Sequence, residues 1–335
     1  MAETNLTPAA ARRPGELPVV VGLGPVDPGL VSSVFAGHCR FVAEPAPADL
    51  AEAAGAIVRA EAQVDADLLD RAPGLQVIAR TGVGVDRVDV AAATARGVAV
   101  VITPGAGAAA VAEGAIGMAL HLVKRFGPLT ELVREGRWAQ RTSVSVGDLD
   151  GATLGVVGYG RIGGRTADLG AAFGMAVLAY DPVSEVPAGR RCGGLAELAE
   201  LSDVISLHLP LTEQTRHTVD DGFLARVRPG TILVNCSRGG LIDTDAVWRA
   251  LASGRLAGVG LDVFDPEPPG SHPLYSHPDV VLTPHLMGLS RRATAATFTA
   301  AAQGILDVLG GREPRAVVNP AWRTRGQAST KEIHA

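Results

Sequence analysis

The stretch from Thr153 to Asp181 constrains this chain more than any other part of its sequence. An apolar run at 154–157 leads directly into the turn Gly-Tyr-Gly-Arg-Ile-Gly at 158–163, and a helical pattern and a second apolar run at 176–180 follow. Three glycines at this spacing carry little weight alone, because the chain contains 41 glycines. Between two strands and before a helix they predict a dinucleotide-binding turn, with a ligand-free tight turn as the alternative.

The three glycines and one carboxylate each have a physical role in such a turn. Gly158 permits the sharp turn after the strand, Gly160 lets the backbone approach a pyrophosphate, and Gly163 lets the helix pack closely on the sheet. The helix N-terminus then presents unpaired N–H groups to the phosphates. Asp181 ends the second strand, where its carboxylate can accept hydrogen bonds from the ribose hydroxyls and repel a 2′-phosphate. We therefore expect NAD as the cofactor, not NADP.

Length, composition and charge indicate an ordinary globular protein. A length of 335 residues predicts two domains, and 47% hydrophobic with 19% charged residues is a typical balance. The net charge is −5, and the arginines are scattered without a basic run, with Lys124 and Lys331 as the only lysines. This pattern argues against a nucleic-acid partner.

The cysteines and the chain ends bear on location. Cys39, Cys192 and Cys236 have neither metal-ligand nor disulfide spacing, so we expect no metal and a cytoplasmic protein. We find no apolar run long enough to span a membrane and no apolar core of a signal peptide. Residues 1–16 and 323–335 are polar and aperiodic, and we expect them to be disordered.

Strand-like and helix-like segments alternate along the rest of the chain, which predicts an α/β fold. We expect two doubly wound parallel-sheet (Rossmann-like) domains, with the NAD-binding domain at 106–290 inserted into a discontinuous flavodoxin-like substrate domain at 17–105 and 291–322. A strand at 316–320 would return to the first domain. The helix predicted at 108–125 is apolar and rich in small residues, which favours a homodimer. Predicted strands lie at 17–21, 40–42, 56–58, 76–79, 98–101, 203–209, 231–235, 258–263 and 280–283, and further helices at 47–53, 65–72, 90–96, 243–253 and 290–309.

Three polar residues follow predicted strands of the NAD-binding domain, at the edge where doubly wound sheets bind ligands. They are Arg238, Glu267 and His285. A histidine can exchange a proton with a ketone or alcohol oxygen, a carboxylate can fix its tautomer, and an arginine can clamp a substrate carboxylate. Singly, they could be a helix cap, a solvated charge and a surface histidine. Together, after a dinucleotide motif, they predict hydride-transfer chemistry.

The sequence resembles the D-isomer-specific 2-hydroxyacid dehydrogenase family from about Gly55 to Pro320. The segments that carry the resemblance occur in the family's order: RTGVGVDRVDV, RGVAVVITPGAG, AVAEGAIGMAL, LGVVGYGRIG, LHLPLTEQTRHTV, NCSRGGLID, LDVFDPEP and TPHL. The resemblance implies that Arg238, Glu267 and His285 form the catalytic triad. It implies NAD contacts by Gly158, Tyr159, Gly160, Arg161, Ile162, Gly163, Asp181, His208, Leu209, Pro210, Cys236, Ser237 and Asp262. It also implies that the backbone of Gly82, Val83 and Gly84 holds the substrate carboxylate.

Within the family, the substrate domain is most similar to that of 3-phosphoglycerate dehydrogenases. Arg59 and Arg80 match arginines that contact the substrate phosphate there, and two arginines suit a dianionic head group. A surface role for Arg59 is the alternative. Three departures leave the substrate open: Arg87 replaces the usual Asn, Gly107 replaces a common Asn, and HLMGLS replaces HLGAST.

These observations predict an NAD-dependent oxidoreductase of a small D-2-hydroxy acid, with 3-phosphoglycerate and other phospho- or phosphono-hydroxy acids among the candidates. Formate- or phosphite-type dehydrogenases on the same fold and an NAD-sensing, corepressor-like binding protein are the alternatives. Because the chain ends near the last substrate-domain segment, we expect no appended regulatory domain.

Overall fold

The computed structural model describes residues 16–323, so the disorder predicted at 1–16 and 323–335 falls almost entirely outside the described residues. The chain divides into two compact units. The discontinuous unit comprises residues up to Gly107 and from Arg291 onward, and the inserted unit is Ala108–Ser290. Among the described residues, no helix is long and apolar enough to cross a membrane.

The discontinuous unit is built on a five-stranded sheet in which every strand pair is parallel. The strands are β1 (Val19–Leu23), β2 (Arg40–Val42), β3 (Ala53–Val58), β4 (Val77–Arg80) and β5 (Ala99–Val101). The helices are α1 (Ser32–Phe35), α2 (Pro47–Glu52), α3 (Ala66–Arg71), α4 (Val90–Ala95) and, after the inserted unit, α11 (Arg291–Leu309). The strand order β2-β1-β3-β4-β5 is that of the flavodoxin-like fold.

Both faces of this sheet are covered, which explains why its strands are continuous apolar runs. All six residues of β3 are buried. Phe35 of α1 and Ile305 of α11 pack on one face, and Leu69 of α3 and Ala93 of α4 pack on the other. Burial of each large aliphatic side chain contributes about 1.5–3 kcal/mol.

The segment after α11 is tied to the edge strand of the same unit. Val317 forms a single antiparallel bridge with Val101, and the buried amide of Asn319 accepts from the Val100 N–H at 2.8 Å and donates to the Val98 carbonyl at 2.8 Å. The strand predicted at 316–320 is therefore wrong as a strand, because side-chain amide bonds replace the ladder beyond one bridge.

The inserted unit is a six-stranded parallel sheet flanked by helices. Its strands are β6 (Thr153–Val157), β7 (Ala176–Tyr180), β8 (Val204–Leu207), β9 (Thr231–Asn235), β10 (Leu256–Leu261) and β11 (Val280–Leu282). Its helices are α5 (Ala108–Val123), α6 (Phe126–Arg134), α7 (Arg161–Ala172), α8 (Leu195–Leu201), α9 (Asp221–Leu224) and α10 (Thr244–Ala252). Short 3₁₀ turns lie at Pro28–Leu30, Trp138–Ser143, Gly239–Leu241 and Pro273–Ser276.

The strand order of this unit places a ligand site between β6 and β8. The order is β11-β10-β9-β8-β6-β7, and Arg191 adds a single parallel bridge to Ala179 on the outer side of β7. With that bridge counted as a vestigial third strand, the order is the 3-2-1-4-5-6 of the Rossmann fold, followed by β11 as a seventh strand at the far edge. The order reverses between β6 and β8, and doubly wound sheets bind ligands beyond the carboxyl ends of the strands at this point.

The predicted fold class is confirmed, since both sheets are parallel and helices pack on both faces of each. Besides the segment at 316–320, several element limits differ from the sequence-based expectation, and two of these differences have a clear local cause. The helix predicted at 108–125 ends at Val123, because Arg125 adopts a left-handed conformation (φ +55°) and a second helix begins at Phe126. The strand predicted at 203–209 ends at Leu207, three residues before Pro210, which has no N–H for a ladder.

Candidate active site

The glycine-rich turn between β6 and α7 has the geometry of a phosphate-binding loop. Gly158 has φ +96°, which other residues rarely adopt, and a Cβ at Gly163 would overlap the carbonyl oxygen of Gly158. A Cβ at Gly160, in contrast, would meet nothing within 4 Å, so the space beside this residue is open. Arg161 and Ile162 begin the 12-residue helix α7, whose first N–H groups lack intrahelical partners. These residues fit a bound pyrophosphate.

Asp181 braces this loop from the end of β7. One carboxylate oxygen accepts from the Tyr159 N–H at 2.6 Å, and the other accepts from the N–H groups of Val183 at 2.8 Å and Ser184 at 2.7 Å. Partial burial alone would raise the pKa of Asp181, but these backbone donors outweigh it and lower the pKa. The carboxylate is therefore ionised at neutral pH, and its remaining lone pairs suit a ribose hydroxyl.

The segment after β8 brings His208, Leu209 and Pro210 to the same edge of the sheet. His208 Nε2 lies 2.9 Å from Ser206 Oγ, and burial lowers the pKa of His208 to about 4. The imidazole is therefore neutral at physiological pH. His208 therefore adds no charge beside the glycine-rich turn, where Asp181 carries the negative charge.

The loop after β9 is fixed by hydrogen bonds from its own residues. The fully buried Asn235 donates to the Arg238 carbonyl at 2.8 Å and accepts from the Ser237 N–H at 3.1 Å, while Ser237 Oγ donates to the Leu209 carbonyl at 2.5 Å. Burial raises the pKa of Cys236 to about 12, and its thiol lies against Met118, so only the backbone of Cys236 remains for a cofactor. The bracing role of Asn235 was not predicted from the sequence.

The structure brings the side chains of Glu267 and His285 together. His285 Nδ1 lies 2.9 Å from Glu267 Oε2, and Oε1 of the same carboxylate accepts from the Phe264 N–H at 3.1 Å. Partial burial alone would raise the pKa of Glu267, but the hydrogen bonds from His285 and Phe264, with the charge of Arg238, lower it. Since an ionised carboxylate only accepts hydrogen bonds, His285 Nδ1 carries a proton and donates it to Glu267. Nε2 is therefore the ring nitrogen that can exchange a second proton with a substrate. Arg238 Nη1 donates to the Ser237 carbonyl at 2.7 Å.

Asp262 holds the segment that carries His285. Its side chain is buried, and it accepts from Thr283 Oγ1 at 2.6 Å and from the N–H groups of Leu286 at 2.9 Å and Met287 at 3.1 Å. The sequence resemblance implies a contact of Asp262 with the nicotinamide amide, but in the structure this carboxylate first organises residues 283–287. No sequence signal distinguished the two roles, because both need a carboxylate directly after β10.

The Gly82–Gly84 turn in the discontinuous unit has two free donors. The Gly82 N–H donates to Thr103 Oγ1 at 2.8 Å and to the Arg80 carbonyl at 2.9 Å, so it is occupied. Among the described residues, the N–H groups of Val83 and Gly84 make no hydrogen bond. These two N–H groups are the ones suited to a substrate carboxylate. Thr103 orients the turn, and its place two residues after the end of β5 is the signal that sequence reasoning missed.

Arg59 and Arg80 lie in the same unit and are held differently. The Arg59 guanidinium lies 5.5 Å from the centre of the Phe298 ring, its Nε is buried without a hydrogen-bond partner, and Glu61 Oε1 is 3.9 Å from that nitrogen. Arg80 Nη1 donates to the carbonyls of Thr81 at 3.2 Å and Val58 at 3.4 Å. Arg87 reaches the Glu61 carbonyl at 3.4 Å. Arg59 therefore has an unmet donor, with an acidic residue beside it.

No group of three or more potential metal ligands occurs among residues 16–323. The three cysteines are all buried, and Cys192 and Cys236 form no disulfide.

Comparison with known proteins identifies the family. Residues 116–287 match the family model described as D-isomer specific 2-hydroxyacid dehydrogenase, NAD binding domain. The D-3-phosphoglycerate dehydrogenase of Methanocaldococcus jannaschii is 38% identical over 268 residues, which are 78% of this chain and 51% of that protein. The hydroxypyruvate reductase of Thermotoga maritima is 40% identical over 234 residues, which are 69% of this chain and 76% of that protein.

A solved structure is similar over nearly the whole chain. The D-lactate dehydrogenase of Aquifex aeolicus, complexed with NAD and lactic acid, superposes with a TM-score of 0.79 at 28% identity and covers 90% of this chain and 99% of that one. The present chain spans about half the length of the curated phosphoglycerate dehydrogenases that it matches. Its inserted unit has the glycine-rich turn of an NAD site, and NAD is the cofactor of the matched domain. The chain belongs to the D-isomer specific 2-hydroxyacid dehydrogenase family.

Proposed function

We propose that this protein is an NAD-dependent oxidoreductase that interconverts a small D-2-hydroxy acid and the corresponding 2-keto acid. The observation that carries the proposal is the pair formed by His285 Nδ1 and Glu267 Oε2 at 2.9 Å, within a unit that matches the family's NAD-binding domain. Arg238, Glu267 and His285 are the proposed catalytic residues.

His285 handles the proton in this proposal. In the oxidative direction, Nε2 of neutral His285 takes the proton of the substrate hydroxyl while the hydrogen on C2 leaves with its electron pair as hydride. Bound NAD supplies the hydride acceptor, and NADH supplies the donor in the reverse direction. In reduction, the protonated imidazole returns its proton to the carbonyl oxygen. Glu267 stays ionised, because its pKa is lowered, and therefore stabilises the imidazolium.

Two sets of donors hold the substrate in this proposal. The Val83 and Gly84 N–H groups bind the carboxylate, and the Arg238 fork polarises the C2 oxygen. NAD is held by the turn at 158–163, by Asp181, by residues 208–210 and by the backbone of Cys236 and Ser237, with the nicotinamide amide at Asp262.

The head group of the substrate is proposed to be anionic. The unmet Arg59 Nε supports a phosphate or phosphonate, as in 3-phosphoglycerate, and so does Arg80, which lies at the end of the neighbouring strand β4 and reaches the carbonyl of Val58, the residue before Arg59; Glu61 opposes such a head group.

We also propose a homodimer. Four apolar side chains after α5 are exposed, namely Phe126, Val133, Trp138 and Val146. Helix α5 itself packs into the core of its unit, so this flank is the better interface.

A cytoplasmic location is proposed on the state of the cysteines. Cys192 and Cys236 are buried and form no disulfide, which suits a compartment that keeps thiols reduced.

A parallel turnover assay tests the function. NADH consumption is measured with glyoxylate, hydroxypyruvate, 3-phosphohydroxypyruvate and phosphonopyruvate, and NAD reduction is measured with formate and phosphite, with His285→Ala as the control. We expect turnover of at least one 2-keto acid, abolished in the control. Turnover of formate or phosphite alone would favour that class of dehydrogenase. NAD binding without any turnover would favour a corepressor-like binding protein.

A further inference from the structure

Met287 packs its side chain into a space on helix α5 that exists only because residue 114 is glycine. A Cβ at Gly114 would overlap the thioether sulfur of Met287 and would lie 2.8 Å from its Cγ and 3.1 Å from its Cβ. Contacts this close involve most of the side chain, so a tip rotation cannot relieve them. Met287 also packs against the buried cluster that contains Val111 and Ala115 of the same helix.

Met287 lies two residues after His285, in a segment whose backbone is under constraint. His285 has φ +56°, a left-handed conformation that a non-glycine residue adopts only when its surroundings enforce it. On the side of β10, Asp262 enforces it by accepting from the N–H groups of Leu286 and Met287. On the side of α5, the contact is the Met287 side chain on Gly114.

We propose that Met287 is a positioning residue. Its side chain fills the space left by the missing Cβ of Gly114, and this packing against α5 sets the position of the His285 imidazole. The proposal rests on the proposed function in assigning the proton exchange to His285. Asp262 fixes the backbone of the segment through hydrogen bonds, and Met287 anchors it to a helix whose other residues are held in the core. Methionine suits this role because its flexible, polarizable side chain fills irregular spaces.

The helix offers a matched control. Gly117 lies one turn further along α5, and a Cβ there would meet nothing within 4 Å. Alanine is a better helix former than glycine, so both Gly114→Ala and Gly117→Ala should favour the helix itself. Only Gly114→Ala displaces Met287. A loss of turnover that occurs in Gly114→Ala but not in Gly117→Ala therefore reports the packing contact with Met287 and not a change in helix stability.

The test is a double-mutant cycle on Gly114→Ala and Met287→Ala, with Gly117→Ala as the control. We expect Gly114→Ala to lower kcat for glyoxylate reduction by about ten-fold or more, with the NADH dissociation constant changed by less than about two-fold. Gly117→Ala should leave both values unchanged. Met287→Ala should lower kcat several-fold, and adding Gly114→Ala to it should cost little further, because the overlapping sulfur and Cγ are gone and only the Cβ contact at 3.1 Å remains. Wild-type turnover in Gly114→Ala, or losses that simply add, would overturn the proposal.

A second readout does not depend on turnover. The imidazole Cε1–H resonance of His285, assigned by its loss in His285→Ala, is followed against pH in the cofactor-free protein. We expect Gly114→Ala to move this titration, Gly117→Ala to leave it unchanged, and the double variant to match Met287→Ala. If the wild-type protein reduces no 2-keto acid, the proposed function fails, and this titration still decides the positioning role. An unmoved titration in both Gly114→Ala and Met287→Ala would refute it.

Discussion

His285 Nδ1 lies 2.9 Å from Glu267 Oε2, and this one hydrogen bond determines which ring nitrogen can meet a substrate. The carboxylate is kept ionised by its own donors, so the ring must present Nε2 outward, and the imidazolium form has an anion beside it. The pair therefore couples the proton chemistry to a charge that mutation can remove.

Glu267→Gln should shift the pH dependence of reduction. The variant keeps a hydrogen-bonding group but loses the charge that stabilises the imidazolium, so the reductive rate should fall off at lower pH than in the wild type. The measurement is kcat/KM for 2-keto acid reduction between pH 5 and 9. Glu200→Gln, which removes the same charge from an exposed pair with Arg226, is the control and should leave the profile unchanged. Identical profiles for Glu267→Gln and the wild type would contradict the role of this carboxylate.

His285→Ala should lower kcat by about 10²–10⁴-fold, because the proton donor is lost. NAD should still bind, since residues 158–163 and Asp181 hold it. Turnover is measured by NADH absorbance and cofactor binding by calorimetry. His38→Ala, an exposed histidine of the discontinuous unit, is the control. Arg238→Lys should also be inactive, because an ammonium cannot replace a bidentate fork. Near-normal turnover in His285→Ala would mean that another group exchanges the proton.

The sequence predicted the limits of β2, β7 and β9 correctly. In β9, which is buried along its whole length, a continuous apolar run marks the strand, whereas β2 and β7 are partly exposed edge strands. The sequence did not predict α6 as a separate helix. The break before α6 depends on the left-handed conformation of Arg125, and an arginine gives no sequence signal for that conformation, as a glycine would. In the site it indicated Glu267 and His285, but it could not assign hydrogen bonds between loops. The occupied N–H of Gly82 and the three bonds to Asp262 arise from tertiary geometry.

The protein should prefer NAD to NADP by at least about ten-fold in kcat/KM, which is about 1.4 kcal/mol. The reason is the ionised Asp181 at the end of β7, which repels a 2′-phosphate, while Arg190 is engaged by Asp168 and the Tyr159 hydroxyl, both at 2.7 Å. Asp181→Asn should narrow the preference. Asp181→Ala should narrow it too, and should also raise KM for both cofactors, because the Tyr159 N–H loses its acceptor. Equal efficiency of the wild type with both cofactors would contradict the prediction.

The protein should be a homodimer at micromolar concentration, and Trp138→Asp should shift it toward monomer. Trp138 is 63% exposed and lies in the flank after α5 with other exposed apolar side chains, where a charge would have to be desolvated on association. Molar mass is measured by light scattering. Val183→Asp, at an apolar residue that is 92% exposed outside this flank, should leave the mass unchanged. A wild-type monomer would refute the interface.

Arg59 and Glu61 should oppose each other in head-group selection. If Arg59 binds a phosphate or phosphonate, Arg59→Ala should raise KM for 3-phosphohydroxypyruvate by one or two orders of magnitude, about 1.5–3 kcal/mol for a charge-assisted bond. It should hardly change kcat for glyoxylate, which has no head group. Glu61→Gln should lower KM for the phosphorylated substrate, since the carboxylate 3.9 Å from Arg59 Nε competes with it for the guanidinium. Arg59→Ala also loses its packing on Phe298, so melting temperatures are compared. Equal losses on both substrates would show that Arg59 serves the fold, and an unchanged KM in Glu61→Gln would show that the two side chains act independently.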